Sequence, residues 1–480
     1  MNKGLAHKKG NLHMSKAVFS GKRVDNLKIA YIGGGSRGWA WGLMSDLAQA
    51  PDLSGSVDLY DIDFEAAQHN EIIGNKYNDL EGAVGKWTYT ARKTIGEALT
   101  DADFVVISIL PGTFDEMESD VHWPEKYGIY QPVGDSSGPG GIIRALRTIP
   151  MFQEFARAIR EYCPNAWVIN YTNPMTLCVR TLYKEFPGIK AIGCCHEVFG
   201  TQNLLKNILK ELRGEEATRD DIKVNVIGVN HFTWITHATY HNTDLFPLYH
   251  EYIEKKKNSE TTTNYTDDNW VNNAWTSDNS VKFDLFERYG CMAAAGDRHL
   301  AEFCEGSWYL DNPKDVVVKW HFGLTPVSWR KEDLKNRLAS SAELVAGKKN
   351  PTIRVTGEEG VHMMRALLGL ADMVTNVNLP NNGQIPNLPM DAVVETNAWF
   401  TADTATPVFA GAIPMPIYNL INRICAEQEM VIEGAFERDL EKVFRAFAND
   451  PLVRLPLDKA RKMFDEMVDN TKAYLGEYFK

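Results

Sequence analysis

The fold is decided by one stretch of sequence, Leu27-Lys28-Ile29-Ala30-Tyr31-Ile32-Gly33-Gly34-Gly35-Ser36-Arg37-Gly38. Its apolar half, residues 27–32, predicts a short buried strand, and a helical pattern follows the glycines to about residue 50. Gly33-x-Gly35-x-x-Gly38 between a strand and a helix is the arrangement that the dinucleotide-binding fingerprint requires. The first glycine makes the tight turn, the second admits the pyrophosphate, and the third lets helix and strand pack closely.

An acidic residue further along the chain supports this interpretation. A second predicted strand, residues 56–60, ends at Asp61, 23 positions after Gly38. An acid at this place binds the ribose hydroxyls of NAD and disfavours the 2′-phosphate of NADP. The alternative is that the glycines form only a turn. Because strand, helix and acid are in register, we predict an NAD site made by Gly33, Gly34, Gly35, Ser36, Gly38 and Asp61.

Further apolar runs extend the sheet. We predict strands at residues 103–109, 167–170 and 191–194, and a helix from about residue 144 to 162. Strands this apolar, alternating with helices, predict a parallel sheet covered on both faces. We expect an α/β fold in which a mobile tail, residues 1–26, precedes a Rossmann-type, doubly wound domain at residues 27–200. A mixed α/β, helix-rich catalytic domain would then occupy residues 201–480.

The second half of the chain has a different texture. Strands are predicted at residues 224–229 and 234–240, and amphipathic helical patterns occupy residues 361–368 and 417–447. Residues 256–280 are rich in Asn, Thr and Asp, which predicts a surface excursion.

The composition excludes several classes of function. The 480 residues carry a formal charge of −12, which argues against non-specific nucleic-acid binding. The longest apolar runs, such as residues 104–110, are far shorter than the roughly 20 residues of a membrane helix, so we expect no membrane partner. Seven cysteines, an odd number, lie in a long chain that shows no secretory segment. A cytoplasmic protein without a disulfide framework is therefore predicted.

Several side chains follow strand ends, where open α/β sheets bind ligands. Cys195-His196-Glu197 follows the strand at 191–194, and His231 follows Gly228-Val229-Asn230. One thiolate and one imidazole do not make a closed zinc site, but they leave room for substrate oxygens around an ion such as Mn²⁺. The alternative is that Cys195 is a buried apolar residue and His231 a hydrogen-bonded core histidine.

Other polar residues have both a structural and a functional interpretation. Residues 296–302, Gly-Asp-Arg-His-Leu-Ala-Glu, place four ionisable groups in seven positions, as a solvated turn also would. Asp135 and Asn173 lie in loops, where such residues are more often caps or turn formers. Spacing alone does not separate these interpretations.

Taken together, the motifs resemble those of the NAD-dependent glycosidase family four, over nearly the whole chain after residue 26. The resemblance is closest to the bacterial α-galacturonidases, whose form of the Cys-His motif is Cys-His-Glu-Val. The residues that carry it are Ile32-Gly-Gly-Gly-Ser36, Asp61-Ile-Asp63, Val133-Gly-Asp135 with Gly138-Pro-Gly-Gly141, Thr172-Asn-Pro-Met175, Cys195-His-Glu-Val198, Gly228-Val-Asn-His231 and Gly296-Asp-Arg-His-Leu300.

The resemblance implies a role for each of these residues. Cys195 and His231 would hold the divalent metal, preferably Mn²⁺, while Asn173, His196 and Asn230 would contact substrate hydroxyls. Asp297 would be the base that removes the proton from sugar carbon 2, and Asp135 the acid that assists the leaving group. Arg298, ahead of Arg147 and Arg37, is our candidate for the uronate carboxylate. Glu197 is unexplained, because an acid repels an acidic substrate.

The resemblance also implies a reaction, because this family is an exception to the carboxylate-pair mechanism of most glycosidases. NAD would take hydride from carbon 3, and the resulting ketone would acidify the proton at carbon 2. Elimination, addition of water and return of the hydride would complete hydrolysis of short α-linked galacturonides. Family members are commonly homodimers or homotetramers, and we expect the same here. An α-glucuronidase, an α-galactosidase, a plain NAD-dependent dehydrogenase and a non-catalytic sensor of NAD or sugar stay open as alternatives.

Overall fold

A computed structural model describes residues 15–258, 277–312 and 319–480 of the chain. Its strands are β1 Val18–Ser20, β2 Arg23–Ile32, β3 Leu53–Tyr60, β4 Lys86–Arg92, β5 Phe104–Ile107, β6 Trp167–Asn170, β7 Lys190–Gly193, β8 Ile222–Val229, β9 Phe232–Tyr240, β10 Thr243–Asp244, β11 Met292–Ala293, β12 Met373–Pro380, β13 Val393–Thr401 and β14 Thr404–Pro407.

Helices cover both faces of the larger sheet and build most of the C-terminal half. Those with bounds inside the described ranges are α1 Trp39–Ala48, α2 Phe64–Lys76, α3 Ile95–Leu99, α4 Phe114–His122, α5 Gly138–Tyr162, α6 Met175–Glu185, α7 Glu197–Arg213, α8 Phe246–Lys257, α9 Ser280–Tyr289, α10 Asp297–Phe303, α11 Gly306–Tyr309, α12 Val327–Val345, α13 Gly360–Leu367, α14 Met415–Glu437, α15 Leu440–Asn449 and α16 Leu457–Asn470. None of the helices in these ranges combines the length and apolarity needed to cross a membrane.

Six parallel strands form most of a ten-stranded sheet, from the β4 edge inward. Their spatial order is β4-β3-β2-β5-β6-β7, the order of a doubly wound dinucleotide-binding fold. Alternate residues of β2 supply the cores on its two faces, so that Ile29 and Tyr31 pack on one side and Ala30 and Ile32 on the other. The predicted α/β class and parallel sheet are confirmed.

The first strand begins earlier than predicted. β2 starts at Arg23 rather than at Leu27, and β1 pairs with it in antiparallel register. Val24 is completely buried, and its pairing with Leu53 draws this segment into the sheet. Residues 18–20 and 23–26 of the predicted tail are therefore sheet, and residues 1–14 lie outside the described residues.

The C-terminal half returns to the same sheet. β12 pairs antiparallel with β7, and β13 and β14 follow in antiparallel order to form one edge. The division of the chain at residue 200 stays a prediction, since the larger sheet draws strands from both sides of it. Most of the predicted excursion at residues 256–280 lies outside the described residues.

The remaining strands form a smaller sheet that carries part of the site. β8 and β9 are an antiparallel hairpin, and both extend the strands predicted for residues 224–229 and 234–240. Two predicted helices differ in their bounds. α5 begins six residues before residue 144, and the pattern at 417–447 divides into α14 and α15 at Arg438, whose φ is +58°.

Candidate active site

His231 lies in the two-residue turn between β8 and β9. Val229 pairs with Phe232 across the hairpin, and His231 has a φ of +63°, a left-handed conformation that turns the chain at this point. The side chain is buried, and its Nδ1 lies 2.9 Å from the Ser136 hydroxyl oxygen. Ser136 in turn donates to Asp135 Oδ1 at 2.7 Å. The serine oxygen therefore accepts a hydrogen bond from His231 Nδ1–H, and the lone pair of Nε2 is free to bind a ligand.

His299 reaches the same place from α10. Its ring stacks on that of His231, with centroids 3.8 Å apart and planes 20° from parallel. Its Nδ1 lies 3.0 Å from Glu197 Oε1, and the other oxygen of Glu197 accepts from the Gly296 amide. The His299 Nε2 is buried without a hydrogen-bond partner. This is the arrangement in which a carboxylate orients an imidazole that binds a metal ion through its other nitrogen.

Asp135 completes a cluster of three possible metal ligands. One atom each of Asp135, His231 and His299 lie within 4.8 Å of one another, and the Asn173 amide donates to Asp135 Oδ2 at 3.2 Å. Two imidazoles and a carboxylate suit a divalent transition ion, and three protein ligands leave positions for other oxygens. The donor set and the unpartnered Nε2 both fit such an ion.

The charges of the cluster are strongly coupled. Burial, followed by the charge of His299, lowers the pKa of His231 to about 3, so this ring is neutral. Burial alone would lower the pKa of His299, but the charges of Glu197 and Asp135 raise it, so His299 would have to release a proton on binding a metal ion. Burial alone would raise the pKa of Asp135, but His299, His231 and Arg144 outweigh it and lower that pKa below its ordinary range. An anionic ligand fits this environment better than a proton donor. The role of Asp135 as the acid stays a prediction.

Cys195 is not a member of this three-residue cluster. Burial, with the charges of Glu395 and Glu197, raises the pKa of its thiol well above the usual value. A nearby divalent cation would oppose those charges and favour the thiolate. The predicted partnership of Cys195 with His231 around a metal therefore stays a prediction.

Two strands from the far C-terminal half hold the Cys195 segment in place. Glu395 on β13 accepts from the amides of Asn230 and Asn376, and Asn376 on β12 also donates to the carbonyl of Cys195 at 3.3 Å. The Oδ1 of Asn230 is buried and has no partner. The Asn230 amide is thus oriented, with an acceptor left for a ligand hydroxyl.

Asp297, the predicted base, is not a member of the three-residue cluster. It is fully buried, with Oδ2 accepting from the Ser277 hydroxyl at 2.9 Å and Oδ1 from the Lys282 amide at 3.1 Å at the start of α9. Burial raises its pKa, although Lys282 opposes this. In this structure the carboxylate caps a helix, and its role as base stays a prediction.

The remaining residues predicted to bind the substrate, His196 and the three candidate arginines, lie in different surroundings. His196 is half exposed and pairs with Glu358 at 3.2 Å beside a cavity of about 420 Å³, and Arg298 donates to the Thr325 hydroxyl at 2.6 Å. Arg147 is excluded as a carboxylate receptor, because it is fully buried in an ion pair with Asp120 and also donates to the Pro111 carbonyl. Arg37 interacts with Asp61, in the turn after β2.

That turn is shaped for a close ligand. Gly33 has a φ of +90°, and a Cβ there would lie 2.0 Å from the Ser108 carbonyl oxygen. A Cβ on Gly35 would meet Ala66 Cβ at 2.6 Å. The Gly35 amide donates to Asp61 Oδ2 at 2.9 Å, and α1 begins after Gly38 without a side-chain cap. The glycines and the open helix start fit a dinucleotide phosphate.

Comparison with known protein families decides the classification. The model of the family 4 glycosyl hydrolases matches residues 28–211, and the model of their C-terminal domain matches residues 226–453. The chain belongs to glycosyl hydrolase family 4. The resemblance found in the motifs is thereby confirmed.

Relatives within family 4 differ widely in similarity. The chain is 58% identical over 454 residues to an α-galacturonidase of Thermoanaerobacterium saccharolyticum, covering 94% of this chain and 97% of that protein. It is 50% identical over 452 residues to an α-galacturonidase of Bacillus subtilis, covering 94% and 99%. An α-galactosidase of B. subtilis is 29% identical over 456 residues, covering 94% and 99%.

Solved structures share the fold of this family 4 enzyme. The crystal structure of lplD from B. subtilis has a TM-score of 0.86 and 51% identity, covering 92% of this chain and all of that one. A 6-phospho-α-glucosidase from gut microorganisms, in complex with NAD and Mn²⁺, has a TM-score of 0.73 and 20% identity, covering 94% and 99%. At 20% identity, the similarity to the 6-phospho-α-glucosidase shows a shared fold and no more.

Sequence reasoning missed the partners that organise the cluster. The sequence pattern indicates a role for none of His299, Ser136, Asn376 and Glu395. Asn376 and Asn378 alternate along a strand between Val and Leu, a period of two that could have indicated a polar face turned inward. The contact of His299 with Glu197 joins residues 102 positions apart, and no local pattern indicates it.

Proposed function

We propose that this family 4 enzyme hydrolyses short α-linked galacturonides, with NAD and a divalent ion such as Mn²⁺ as cofactors. One observation carries the choice of substrate. Identity to α-galacturonidases is 50–58%, whereas identity to the α-galactosidase of B. subtilis is 29%, over similar shares of the chain. Catalysis in the cytoplasm by a homodimer or homotetramer is part of the same expectation.

The cofactors would occupy separate places. Gly33, Gly34, Gly35, Ser36 and Gly38 would hold the NAD pyrophosphate and Asp61 the ribose, while Asp135, His231, His299 and the predicted ligand Cys195 would hold the metal. When bound, NAD supplies reversible hydride exchange at sugar carbon 3, and the metal supplies Lewis-acid polarisation of the oxygen there.

The chain's own residues position the sugar and manage protons. Asn173 and Asn230 offer amide groups whose Oδ1 atoms are buried without partners, which suits donation from sugar hydroxyls. Glu197 keeps the Nδ1 proton of His299 in place, so that Nε2 is the atom that faces the cluster. Removal of the proton at carbon 2 by Asp297 would require its bonds to Ser277 and Lys282 to open first.

A substrate panel tests the proposal. Purified protein with NAD and Mn²⁺ would be assayed on α-galacturonides, α-glucuronides and α-galactosides of matched leaving group, with release of sugar and NADH absorbance recorded together. We expect fastest turnover of the α-galacturonide without net NADH. Faster turnover of a glucuronide or neutral galactoside would contradict the substrate, and stoichiometric NADH would favour a dehydrogenase.

A further inference from the structure

Two arginines beside the candidate active site each have a buried guanidinium nitrogen without a hydrogen-bond partner. Arg144 on α5 is 4% exposed and donates through Nε to the Asn173 carbonyl at 3.1 Å, but its Nη1 is buried without a partner. Arg330, in the first turn of α12, has a buried Nε without a partner. Within the described part of the chain, no hydrogen bond or ion pair engages the Arg330 guanidinium.

Two other arginines in the described part of the chain, by contrast, have carboxylate partners. Arg147, one turn along α5 from Arg144, binds both oxygens of Asp120, and Arg180 binds both oxygens of Glu429. A buried guanidinium without an acceptor is costly, because desolvation is not offset by hydrogen bonds. The missing acceptors of Arg144 and Arg330 therefore indicate a ligand.

The charges around the two arginines define the sign of that ligand. Asp135 attracts Arg144 and Arg330, which repel each other. Asp135 is also the carboxylate of the metal cluster, so its charge is shared with a cation when the site is filled. The Oε1 of the nearby Glu302 accepts hydrogen bonds from the backbone amides of Val133 and Gly134. Positive charge is then in excess at this side of the cluster, and an anion would balance it.

We infer that Arg330, together with Arg144, is the receptor for the carboxylate of the uronic acid. A guanidinium presents two parallel donors that match the two oxygens of a carboxylate. The carboxylate on carbon 5 of a uronate lies across the ring from carbons 2 and 3, so a sugar with those carbons at the cluster extends its anionic end away from it. A neutral galactoside would leave the buried Nη1 of Arg144 and Nε of Arg330 without a charged acceptor. This inference rests on the proposed function.

The test compares charged and neutral substrates in one variant. Arg330→Gln would be assayed on an aryl α-galacturonide, its methyl ester and the matching α-galactoside. We expect kcat/KM for the galacturonide to fall about 100-fold, the usual scale when one partner of a buried charged pair is truncated. The kcat/KM values for the two neutral substrates are expected to stay the same or to rise. Arg330→Lys keeps the positive charge but lacks the two parallel donors of a guanidinium. Its kcat/KM for the galacturonide should fall between those of wild type and Arg330→Gln.

Lys331 provides a matched control. It is the next residue on α12, and it pairs with Asp115 at 2.8 Å and with Glu118 on the surface. Lys331→Gln makes the same change of charge and is expected to retain the wild-type preference. Because the ratio of two substrates is measured within each variant, partial loss of folded protein cancels.

A binding measurement separates the receptor from the reaction. Galacturonate and galactose would be titrated calorimetrically into wild type and into Arg330→Gln. Tighter binding of galacturonate by wild type, lost in the variant, supports the receptor even if hydrolysis fails and the proposed function with it. Hydrolysis of galacturonides by wild type, with the same preference kept by Arg330→Gln and Arg144→Gln, would overturn the receptor and leave the function standing.

Discussion

At the scale of single residues, the neighbours of Glu197 explain why an acid lies at this position. The sequence presents it as an acid beside an acidic substrate, which would repel it. In the structure, burial alone would raise its pKa, but the charge of His299 and the bonds from His299 and the Gly296 amide lower that pKa well below its usual range. Glu197 is therefore an anion that is used within the protein, and its task is to orient an imidazole.

Glu197→Gln tests this role. A glutamine has one acceptor oxygen in place of two, so it cannot accept from both the His299 ring and the Gly296 amide. We expect the affinity for Mn²⁺ to fall about 10- to 100-fold, the usual cost of losing such a support. Calorimetric titration of Mn²⁺ without NAD or sugar measures it, with Glu215→Gln, an exposed acid, as the control. Equal Mn²⁺ affinity in both variants would contradict the role.

Some site residues were predictable and others were not, for a physical reason. His231 and Asn173 follow strand ends, and strand ends are visible in the apolar pattern. The meeting of Asp135 with His299 depends on how α5 and α10 pack, and those helices are far apart in the chain. For Asp297 the motif is visible in the sequence, but its hydrogen bonds to Ser277 and Lys282 are not.

At the scale of elements, the turn from β2 to α1 was the most predictable part of the molecule. Its glycines are required by backbone conformation and by close approach, and both requirements leave a sequence signature. The edge formed by β12, β13 and β14 left no such signature. Local periodicity can indicate a strand, but the pairing of Asn378 with Gly193 joins residues 185 positions apart.

Two glycine substitutions with opposite expected signs test the turn. Gly33→Ala would force an L residue to a φ of +90° with its Cβ 2.0 Å from a carbonyl oxygen, and we expect a loss of about 3 kcal/mol or more of unfolding free energy. Gly200 lies in α7 with open space around it, so Gly200→Ala should gain up to about 1 kcal/mol. Denaturant unfolding measures both, and equal stabilities would refute the strain.

At the scale of the whole molecule, the C-terminal helices are tied to the loop that carries the site. Asp450, after α15, accepts from the Gly138 amide at the start of α5. Burial raises the pKa of Asp450 to about 6, and burial with the charge of Asp450 raises the pKa of Glu427 well above its usual value. Burial and the negative charge of Asp450 therefore both favour the protonated form of Glu427.

This buried pair makes stability depend on pH in a defined direction. Because the folded state binds the proton more tightly than the unfolded state, the pair's contribution is greatest at low pH and is lost as pH rises from the ordinary carboxyl range through the raised values. Glu427→Gln removes the part of this dependence that comes from Glu427. The free energy of unfolding of the variant minus that of wild type should therefore be larger at pH 8 than at pH 5. The expected increase is about 1.4 kcal/mol for each unit by which folding raises the pKa of Glu427.

Thermal unfolding of both proteins at the two pH values measures the effect. Glu437→Gln, at the exposed end of the same helix, is the matched control and should show no such change between pH 5 and pH 8. An identical difference between Glu427→Gln and wild type at both values would show that Glu427 is not protonated in the folded protein.

The central claim is that a dinucleotide-binding fold serves hydrolysis in this molecule. The most direct measurement is hydrolysis of an α-galacturonide in deuterium oxide, with NAD and Mn²⁺ present, followed by NMR of the released galacturonate. A mechanism that removes the proton at carbon 2 predicts deuterium at that carbon in the product. Released galacturonate that retains hydrogen at carbon 2 would contradict the account.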